Sequence, residues 1–402
     1  MKLFLPLILI AAPIAAKTIN VAPGPDVQER LQTALIDAQP GDVVQLAAGR
    51  FVLTDGLSLD VARVTVRGAG ADKTVLDFKG QQGAGEGLLV TSSDVVLRDF
   101  AVEDAKGDAI KSKGVERTVY KNLRVEWTGG PKPTNGAYGL YPVASKWVLI
   151  DGCIVKGASD AGIYVGQSQD IVVRNNIASG NVAGIEIENS YRADVFHNIA
   201  SHNTGGILVF DLPNLPQMGG HSIRVFENVV SENDTANFAP KGNIVASVPN
   251  GTGVMVMANR DVHVFRNALS ENATVNVMVV AYKRPFTDAT YNPLPRDVVV
   301  RDNKHGRAGW APGFVGGKEL AAAMGGSLAP IFWDGAGGRE RTNIIVNDTA
   351  PVVSLNLPEA LTPVEQARPG PVDLTVGRPV PEPAAVVLPA SMEAAVAEKG
   401  TK

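Results

Sequence analysis

Two acidic side chains, Glu186 and Glu188, are separated by a single residue in the stretch AGIEIENS. In an extended strand, residues two apart point to the same side, with about 6 to 7 Å between them along the strand. A glycoside hydrolase needs two carboxyl groups on facing sides of the scissile bond. The pair is therefore a candidate for the hydrolysis of a sugar polymer.

Tyrosines and lysines nearby in the sequence permit a second chemistry. Abstraction of the proton next to the carboxylate of a uronic sugar needs a cation that neutralises this carboxylate, a base, and often a tyrosine as the acid. Tyr141 and Tyr164 can serve as acid or base, with Tyr138 beside them, and Lys111 or Lys241 can serve as the cation. These residues favour a polyuronate lyase or epimerase.

A repeat of 22 residues positions these groups. Asn176 and Asn198 are 22 residues apart, and so are Ile185 and Ile207. A period of this size predicts a solenoid, in which no single unit can bury its apolar face alone. Short alternating stretches rich in Val, Ile and Phe, broken by Asn, Gly and Ser, predict strands and tight corners. Three short strands in each coil give an all-β fold, a right-handed single-stranded parallel β-helix.

Asparagine recurs at two positions of the repeat. Asparagine tolerates the left-handed backbone of a corner, and stacked amides can form hydrogen bonds from coil to coil. A line of ligand-binding amides is the other interpretation. The two sets are Asn176, Asn198, Asn228, Asn267 and Asn303, and Asn181, Asn203, Asn233 and Asn272.

One strand of each coil is flanked by long loops on both edges, and such loops predict a groove for a linear polymer. If the apolar residue after each glycine points inward, two rows point outward. The first row is Lys111, Tyr141, Tyr164, Glu186, Leu208, Met255 and Met278; the second is Lys113, Val143, Gly166, Glu188, Phe210, Met257 and Val280. The Met and Phe part is too apolar for a bare solvent face, so either the loops fold over it, which we favour, or it docks another surface.

The candidate residues follow from these rows. The candidate catalytic residues are Tyr138, Tyr141, Tyr164, Glu186 and Glu188. The candidate substrate-binding residues are Lys111, Lys113, Phe210, Asp211 and Lys241. No cofactor or metal site is predicted, although Glu186, Glu188 and Asp211 offer oxygen atoms that suit calcium.

Composition and the N-terminal residues bound the location. A formal net charge of -4 provides no general basic field for nucleic acid. Residues 1–16 read as a secretory signal peptide, because two residues, Met1 and Lys2, precede an apolar stretch too short to span a bilayer. Nothing later is long and apolar enough to cross a membrane. We therefore expect a periplasmic or secreted protein that is not an integral membrane protein, with Cys153 as its only cysteine and hence no intrachain disulfide.

The domain organisation follows from where the repeat begins and fades. Residues 17–303 form the predicted β-helix with an N-terminal cap, a short helix in which Val27, Leu31, Leu35 and Ile36 stand at helical spacing. Residues 304–357 are the C-terminal cap region, where GKELAAAMGGSLAP can form a short helix. Residues 358–402, rich in Pro and Ala, predict a loosely structured and loosely attached tail.

The stretches AGRFVLTDGLSLD and VTVRGAGADKTVLDF, together with the Asn-rich coils, resemble the pectate-lyase-like right-handed β-helix superfamily, which includes pectin and alginate lyases and polyuronate epimerases. The strand from Tyr138 is similar to a mannuronan C5-epimerase strand that reads Tyr-Gly-x-Asp-Pro-His. Tyr141 stands where that family has the aspartate, Val143 where it has the histidine, and Gly166 near a second aspartate. The likeness implies the fold, while these catalytic groups are missing.

The stretches GGILVFDLPNLPQMGG and NFAPKGNIVASVPNGTGVMVMANRDV resemble a group of exported bacterial β-helix proteins of unassigned function. We therefore predict an exported protein that binds or processes a polysaccharide, with polyuronates as one candidate class and lyase or epimerase activity left open. The alternative is a noncatalytic binding or assembly module that recognises a protein partner at the cell envelope through the apolar part of the groove.

Overall fold

Three long parallel sheets wind around one apolar core. A computed structural model describes residues 16–397, so that the predicted signal peptide lies almost wholly outside the described residues. Each full coil contributes one strand to each sheet, and the chain passes through sheet 2, then sheet 1, then sheet 3. The predicted parallel β-helix is confirmed.

The strands of each sheet follow in chain order. Sheet 1 contains Thr18–Val21, Val43–Leu46, Thr65–Arg67, Val96–Arg98, Glu116–Lys121, Lys146–Asp151, Gln169–Arg174, Tyr191–Phe196, His221–Phe226, Arg260–Phe265, Arg296–Arg301 and Ile344–Asn347. Sheet 2 contains Leu57–Leu59, Leu88–Val90, Ile110–Lys113, Tyr138–Val143, Ala161–Gly166, Ala183–Glu188, Gly205–Phe210, Thr252–Met257, Val275–Val280, Ile331–Trp333, Val352–Ser354 and the antiparallel Gly370–Pro371. Sheet 3 contains Gly49–Val52, Thr74–Asp77, Ala101–Glu103, Arg124–Glu126, Ile154–Lys156, Ile177–Ser179, Ile199–Ser201, Val229–Ser231, Ala268–Ser270 and Lys304–His305.

Both asparagine rows form hydrogen-bonded ladders at the corners, as the first interpretation predicts. The Asn198 Oδ1 atom accepts bonds from the backbone N and the Nδ2 of Asn176, at 3.0 and 2.9 Å, and Asn228 does the same for Asn198. The left-handed residue is the one before each ladder asparagine, such as His197 or His202. The asparagines are therefore needed for their amides, which satisfy buried backbone groups that would each cost about 1–3 kcal/mol unpaired.

The N-terminal end of the solenoid is covered by helix α1, Val27–Asp37. Val27, Leu31 and Leu35 are buried against the core. The prediction was wrong for Ile36, which is 63% exposed because it lies on the other side of the helix. With 11 residues α1 is the longest described helix, and none of the helices in residues 16–397 is long and apolar enough to cross a membrane.

The coils continue after Asn303, although the repeat is no longer visible in the sequence. Ile331–Trp333 pairs with Val275–Val280 in sheet 2, and Ile344–Asn347 pairs with Arg296–Arg301 in sheet 1. Three short helices lie in the C-terminal part: α2, Gly317–Ala323, within the predicted helical stretch, α3, Gly338–Thr342, and α4, Ala390–Ala397.

The C-terminal tail is docked along sheet 1. It has little regular structure before α4, as predicted, but the prediction of loose attachment is wrong. Leu388 and Met392 are buried against Val119, Leu149 and Val172. Polar contacts add to this docking: Arg174 pairs with Glu393 at 2.7 Å, and the Asp194 carboxylate accepts the Val386 N–H at 3.1 Å.

Candidate functional site

The strands of sheet 2 place the two predicted rows in register on the outer face. Lys111 lies beside Tyr141, Tyr164 beside Glu186, and Glu186 beside Leu208. The row positions continue through Met255 and Met278. Parallel pairing with alternating side chains fixes this arrangement, and both rows are confirmed.

Three tyrosine rings form a cluster at one end of this face. The Tyr138 ring centroid lies 4.5 Å from those of Tyr141 and Tyr164, which are 4.9 Å from each other. Burial is the main cause that raises the pKa of all three hydroxyl groups, and neighbouring carboxylates add to it. The hydroxyls therefore keep their protons at neutral pH. They can donate hydrogen bonds, but they are not poised to act as bases, which removes one half of the predicted role.

Glu186 and Glu188 form a carboxyl pair next to the tyrosines. The Tyr164 hydroxyl donates to Glu188 Oε1 at 2.6 Å. The carboxyl groups of Glu186 and Glu188 contact each other. Burial raises the pKa of Glu188 to about 7, and burial with the nearby Glu188 charge raises that of Glu186 well above its usual value. The predicted separation across a glycosidic bond is wrong, because the side chains turn toward each other and leave no room for a sugar between them.

Asp160 completes the cluster, and the sequence analysis missed it. Asn243 donates to its Oδ2 at 2.9 Å, and the Tyr138 hydroxyl also contacts the carboxyl group. Burial, followed by the charge of Glu188, raises the pKa of Asp160 to about 7. Asp160 precedes its strand and so fell outside the alternation argument. A signal does exist: the equivalent positions in the neighbouring coils, Gly107, Ala137, Val182, Thr204, Gly251 and Thr274, are all uncharged.

A cavity of about 390 Å³ lies over these groups, which we call the carboxyl cavity. It is lined by Tyr138, Asp160, Glu186, Glu188, Leu212, Pro213, Asn214, Leu215, Gly242, Asn243, Ile244, Val245 and Tyr282. The volume lies within the range of about 300–1,000 Å³ typical of small-molecule sites. Its described lining contains three carboxyl groups and no Lys, Arg or His. One carboxyl oxygen, Glu186 Oε2, is buried without a hydrogen-bond partner in the described residues.

Two loops from opposite edges of the strands form the outer wall of the carboxyl cavity. The first follows Phe210 and is anchored by Asp211, whose carboxylate accepts the N–H groups of Gly219 and Gly220 at 3.1 and 2.8 Å. The second precedes Thr252–Met257 and contributes Asn243. The loops fold over the apolar part of the face, as we favoured, so that Leu208, Met255 and Met278 belong to a second buried apolar cluster.

The predicted substrate-binding residues are not gathered at the cavity. Lys111 is held by Glu86 and Asp108, at 2.9 and 3.3 Å. Lys113 and Lys241 are exposed and do not line the cavity. Phe210 is fully buried beneath the loops, which prevents its contact with a substrate. The carboxylate of Asp211 is used to hold a loop, which makes it a positioning residue.

The same groups do not suit calcium. In the described part of the chain, no set of three or more His, Cys, Asp and Glu side chains is arranged to hold a metal ion. Of the residues considered, Glu186 and Glu188 contact each other and Asp211 is bonded to backbone N–H groups. Calcium ligands are ionised or carbonyl oxygens that face one point, and this arrangement is absent there.

Comparisons with known proteins agree with the architecture. The family model for a right handed beta helix region matches residues 64–215. No curated protein matches the sequence. Among solved structures, the A-module of the mannuronan C-5 epimerase AlgE4 from Azotobacter vinelandii is 15% identical, with a TM-score of 0.51 over 83% of this chain and 94% of that module.

Two other solved structures give the same result. The A-module of the epimerase AlgE6 from the same organism is 14% identical, with a TM-score of 0.53 over 85% of this chain and 95% of the module. A hyperthermoactive exopolygalacturonase from Thermotoga maritima is 12% identical, with a TM-score of 0.50 over 74% of this chain and 91% of that chain. Identities this low carry the fold alone. The strand order, the coils and these matches together give the chain a right-handed parallel β-helix fold.

Proposed function

We propose that this chain is an exported protein that binds a polysaccharide of uncharged sugars and hydrolyses its glycosidic bonds in the carboxyl cavity. The observation that carries this proposal is the convergence of Asp160, Glu186 and Glu188 on one cavity whose described lining has no basic side chain. Buried carboxyl groups cost stability unless they are paired or hydrogen-bonded. Carboxyl groups with raised pKa values are typical of acid–base catalysis.

The protonation states fit this chemistry. Asp160 and Glu188 have pKa values of about 7, so each is present in both forms at neutral pH. One can donate a proton to the leaving oxygen while the other accepts a proton from water. Glu186 stays protonated, because burial and the nearby Glu188 charge raise its pKa well above the usual value.

Charge favours uncharged sugars over polyuronates. A uronic acid brought into the carboxyl cavity would meet three carboxyl groups, and one of the predicted cations, Lys111, is already paired with Glu86 and Asp108. An unpaired carboxylate is expensive to bury. The alternative of a protein partner at the apolar part of the groove loses support, because the loops bury that part.

An activity screen tests the proposal. The full chain is incubated with uncharged glucans, mannans, xylans and galactans, and new reducing ends are measured; alginate and pectate are followed by the ultraviolet absorbance of unsaturated ends. We expect reducing ends from an uncharged polymer, and a loss of about 100-fold or more in Asp160→Asn and in Glu188→Gln. The matched control is Glu271→Gln, a half-exposed carboxyl group that pairs with Arg307 outside the cavity.

Two outcomes would contradict the proposal. Hydrolysis that persists undiminished in both variants would place catalysis elsewhere. Unsaturated ends from alginate or pectate, without cleavage of any uncharged polymer, would establish the lyase alternative.

A further inference from the structure

A second cavity, mostly apolar, adjoins the carboxyl cavity on the same face of sheet 2. Its volume is about 260 Å³, and we call it the methionine cavity. Its large apolar lining side chains include Met255, Met257, Met278, Phe314, Phe332 and Leu355. An apolar cavity of about 150 Å³ is large enough to bind benzene. The methionine cavity can therefore hold an aromatic ring or a short alkyl chain.

The two cavities share a wall. Ile244 and Tyr282 line both of them, and the loop that carries Ile244 also supplies Asn243 to the carboxyl cavity and Ser247 to the methionine cavity. The two cavities are therefore direct neighbours on this face. The exposed residues Ser247 and Lys283 mark where the methionine cavity meets the surface.

We infer that the methionine cavity binds the apolar substituent of an amphiphilic glycan, an acyl, alkyl or aryl group, whose sugar lies in the carboxyl cavity. The sugar half of this inference rests on the proposed function. Methionine suits such a role because its flexible, polarizable side chain adapts to apolar groups of different shape. Two cations, Lys283 and Arg284, also line the cavity. Neither calls for an anionic headgroup, because Asp334 pairs with the Lys283 ammonium at 3.0 Å and the Arg284 guanidinium donates to the carbonyl oxygens of Gly242 and Asn243, at 3.0 and 2.8 Å.

Binding of chain-length series tests the inference. Calorimetric titration of the full chain uses n-alkyl alcohols and n-alkyl glucosides of four to eight carbons, below their critical micelle concentrations. Each buried methylene should tighten binding by about fourfold until the cavity is full. Met278→Trp, which fills the cavity, should abolish this dependence, whereas Met324→Trp, at a surface position that does not line the cavity, should preserve it.

A second variant keeps the test decisive if Met278→Trp does not fold. Met257→Ala enlarges the cavity and should extend the rise in affinity by one or two carbons. The inference is overturned if neither series shows a chain-length dependence, or if the dependence survives Met278→Trp in the folded protein. The reducing-end assay uses polymers without apolar substituents, so it tests the proposed hydrolysis alone. The chain-length series tests the methionine cavity, and a negative result in one experiment is therefore distinguishable from a negative result in the other.

Discussion

At the scale of single residues, the carboxyl cavity holds groups that work against folding. Asp160, Glu186 and Glu188 are each almost fully buried, and a buried carboxyl group is deprotonated less readily than an exposed one. The folded chain therefore holds protons that the unfolded chain releases. Residues of this kind are retained where a site needs them, and they make the stability of the protein depend on pH.

The pKa shifts predict a loss of stability as pH rises. Asp160 and Glu188 are raised from usual values near 4 to about 7, so between these limits the folded state binds more protons than the unfolded state. The free energy of unfolding contributed by these groups therefore falls as pH rises through about 7, by about 2–5 kcal/mol in total between pH 5 and pH 8. Urea unfolding at pH 5 and at pH 8 measures this change in the free energy of unfolding.

The double variant Asp160→Asn, Glu188→Gln isolates this contribution. The lowered pKa values of His221 and His263 act in the opposite sense below about pH 6.5, but they are common to both proteins and cancel in the difference. Relative to the wild type, the double variant should gain stability from pH 5 to pH 8. A constant difference across this range would contradict the prediction, and Glu271→Gln should show that constant difference.

The sequence predicts those residues of the site that lie within strands, because their positions follow the local alternation. Alternation placed Tyr141, Tyr164, Glu186 and Glu188 on one face, because the side-chain direction in a strand depends only on position. Asp160 could not be found in this way, since it enters the site through its place before a strand and through Asn243, 83 residues away. Contacts across loops are set by tertiary packing and leave no local pattern.

At the scale of elements, the tail acts as a strap across several coils of sheet 1. Near its end the tail buries Leu388 and Met392, and the ion pairs of Arg174 and Arg301 with the tail are partly exposed. Exposed ion pairs contribute little, whereas each buried apolar side chain contributes about 1.5–3 kcal/mol. Docking of the tail therefore depends mainly on the apolar contacts.

Met392→Ala should release the tail without unfolding the coils. The loss of buried area and the cavity left behind should weaken docking by about 2–4 kcal/mol, so that limited proteolysis cuts near α4 at least tenfold faster. Val387→Ala is the matched control in the same segment, because Val387 is 82% exposed. Equal cleavage rates in the two variants would show that polar contacts hold the tail.

The elements follow from the sequence where the coils are regular. Alternating Val and Ile predict the coils up to Asn303, and from Asn176 onward the repeated Asn adds to this signal because these coils share one ladder. The later strands could not be predicted, because a long insertion separates Val275–Val280 from its neighbour Ile331–Trp333. The composition of the tail predicts loose attachment, because the apolar residues that dock its last part on sheet 1, chiefly Leu388 and Met392, are few and follow no local pattern.

At the scale of the whole molecule, a solenoid is stabilised by contacts between neighbouring coils. The coils around the carboxyl cavity are therefore insulated from changes at the N-terminal end, which α1 covers. An uncovered end exposes strand edges that can pair with another chain. A substitution that displaces the cap is thus predicted to leave the coils at the carboxyl cavity folded.

Leu31→Asp tests this independence. Leu31 is 1% exposed beneath α1, and an unpaired carboxylate there is costly enough to displace the helix from the first coil. We expect self-association, measured by sedimentation velocity, while the far-ultraviolet β signal and the pH dependence of the cavity carboxyl groups remain. Ile36→Asp places the same charge on the exposed side of the same helix and should sediment as the wild type does. Loss of the β signal in Leu31→Asp would show instead that the coils fold as one cooperative unit, because a defect at the cap would then have spread to coils that it does not touch.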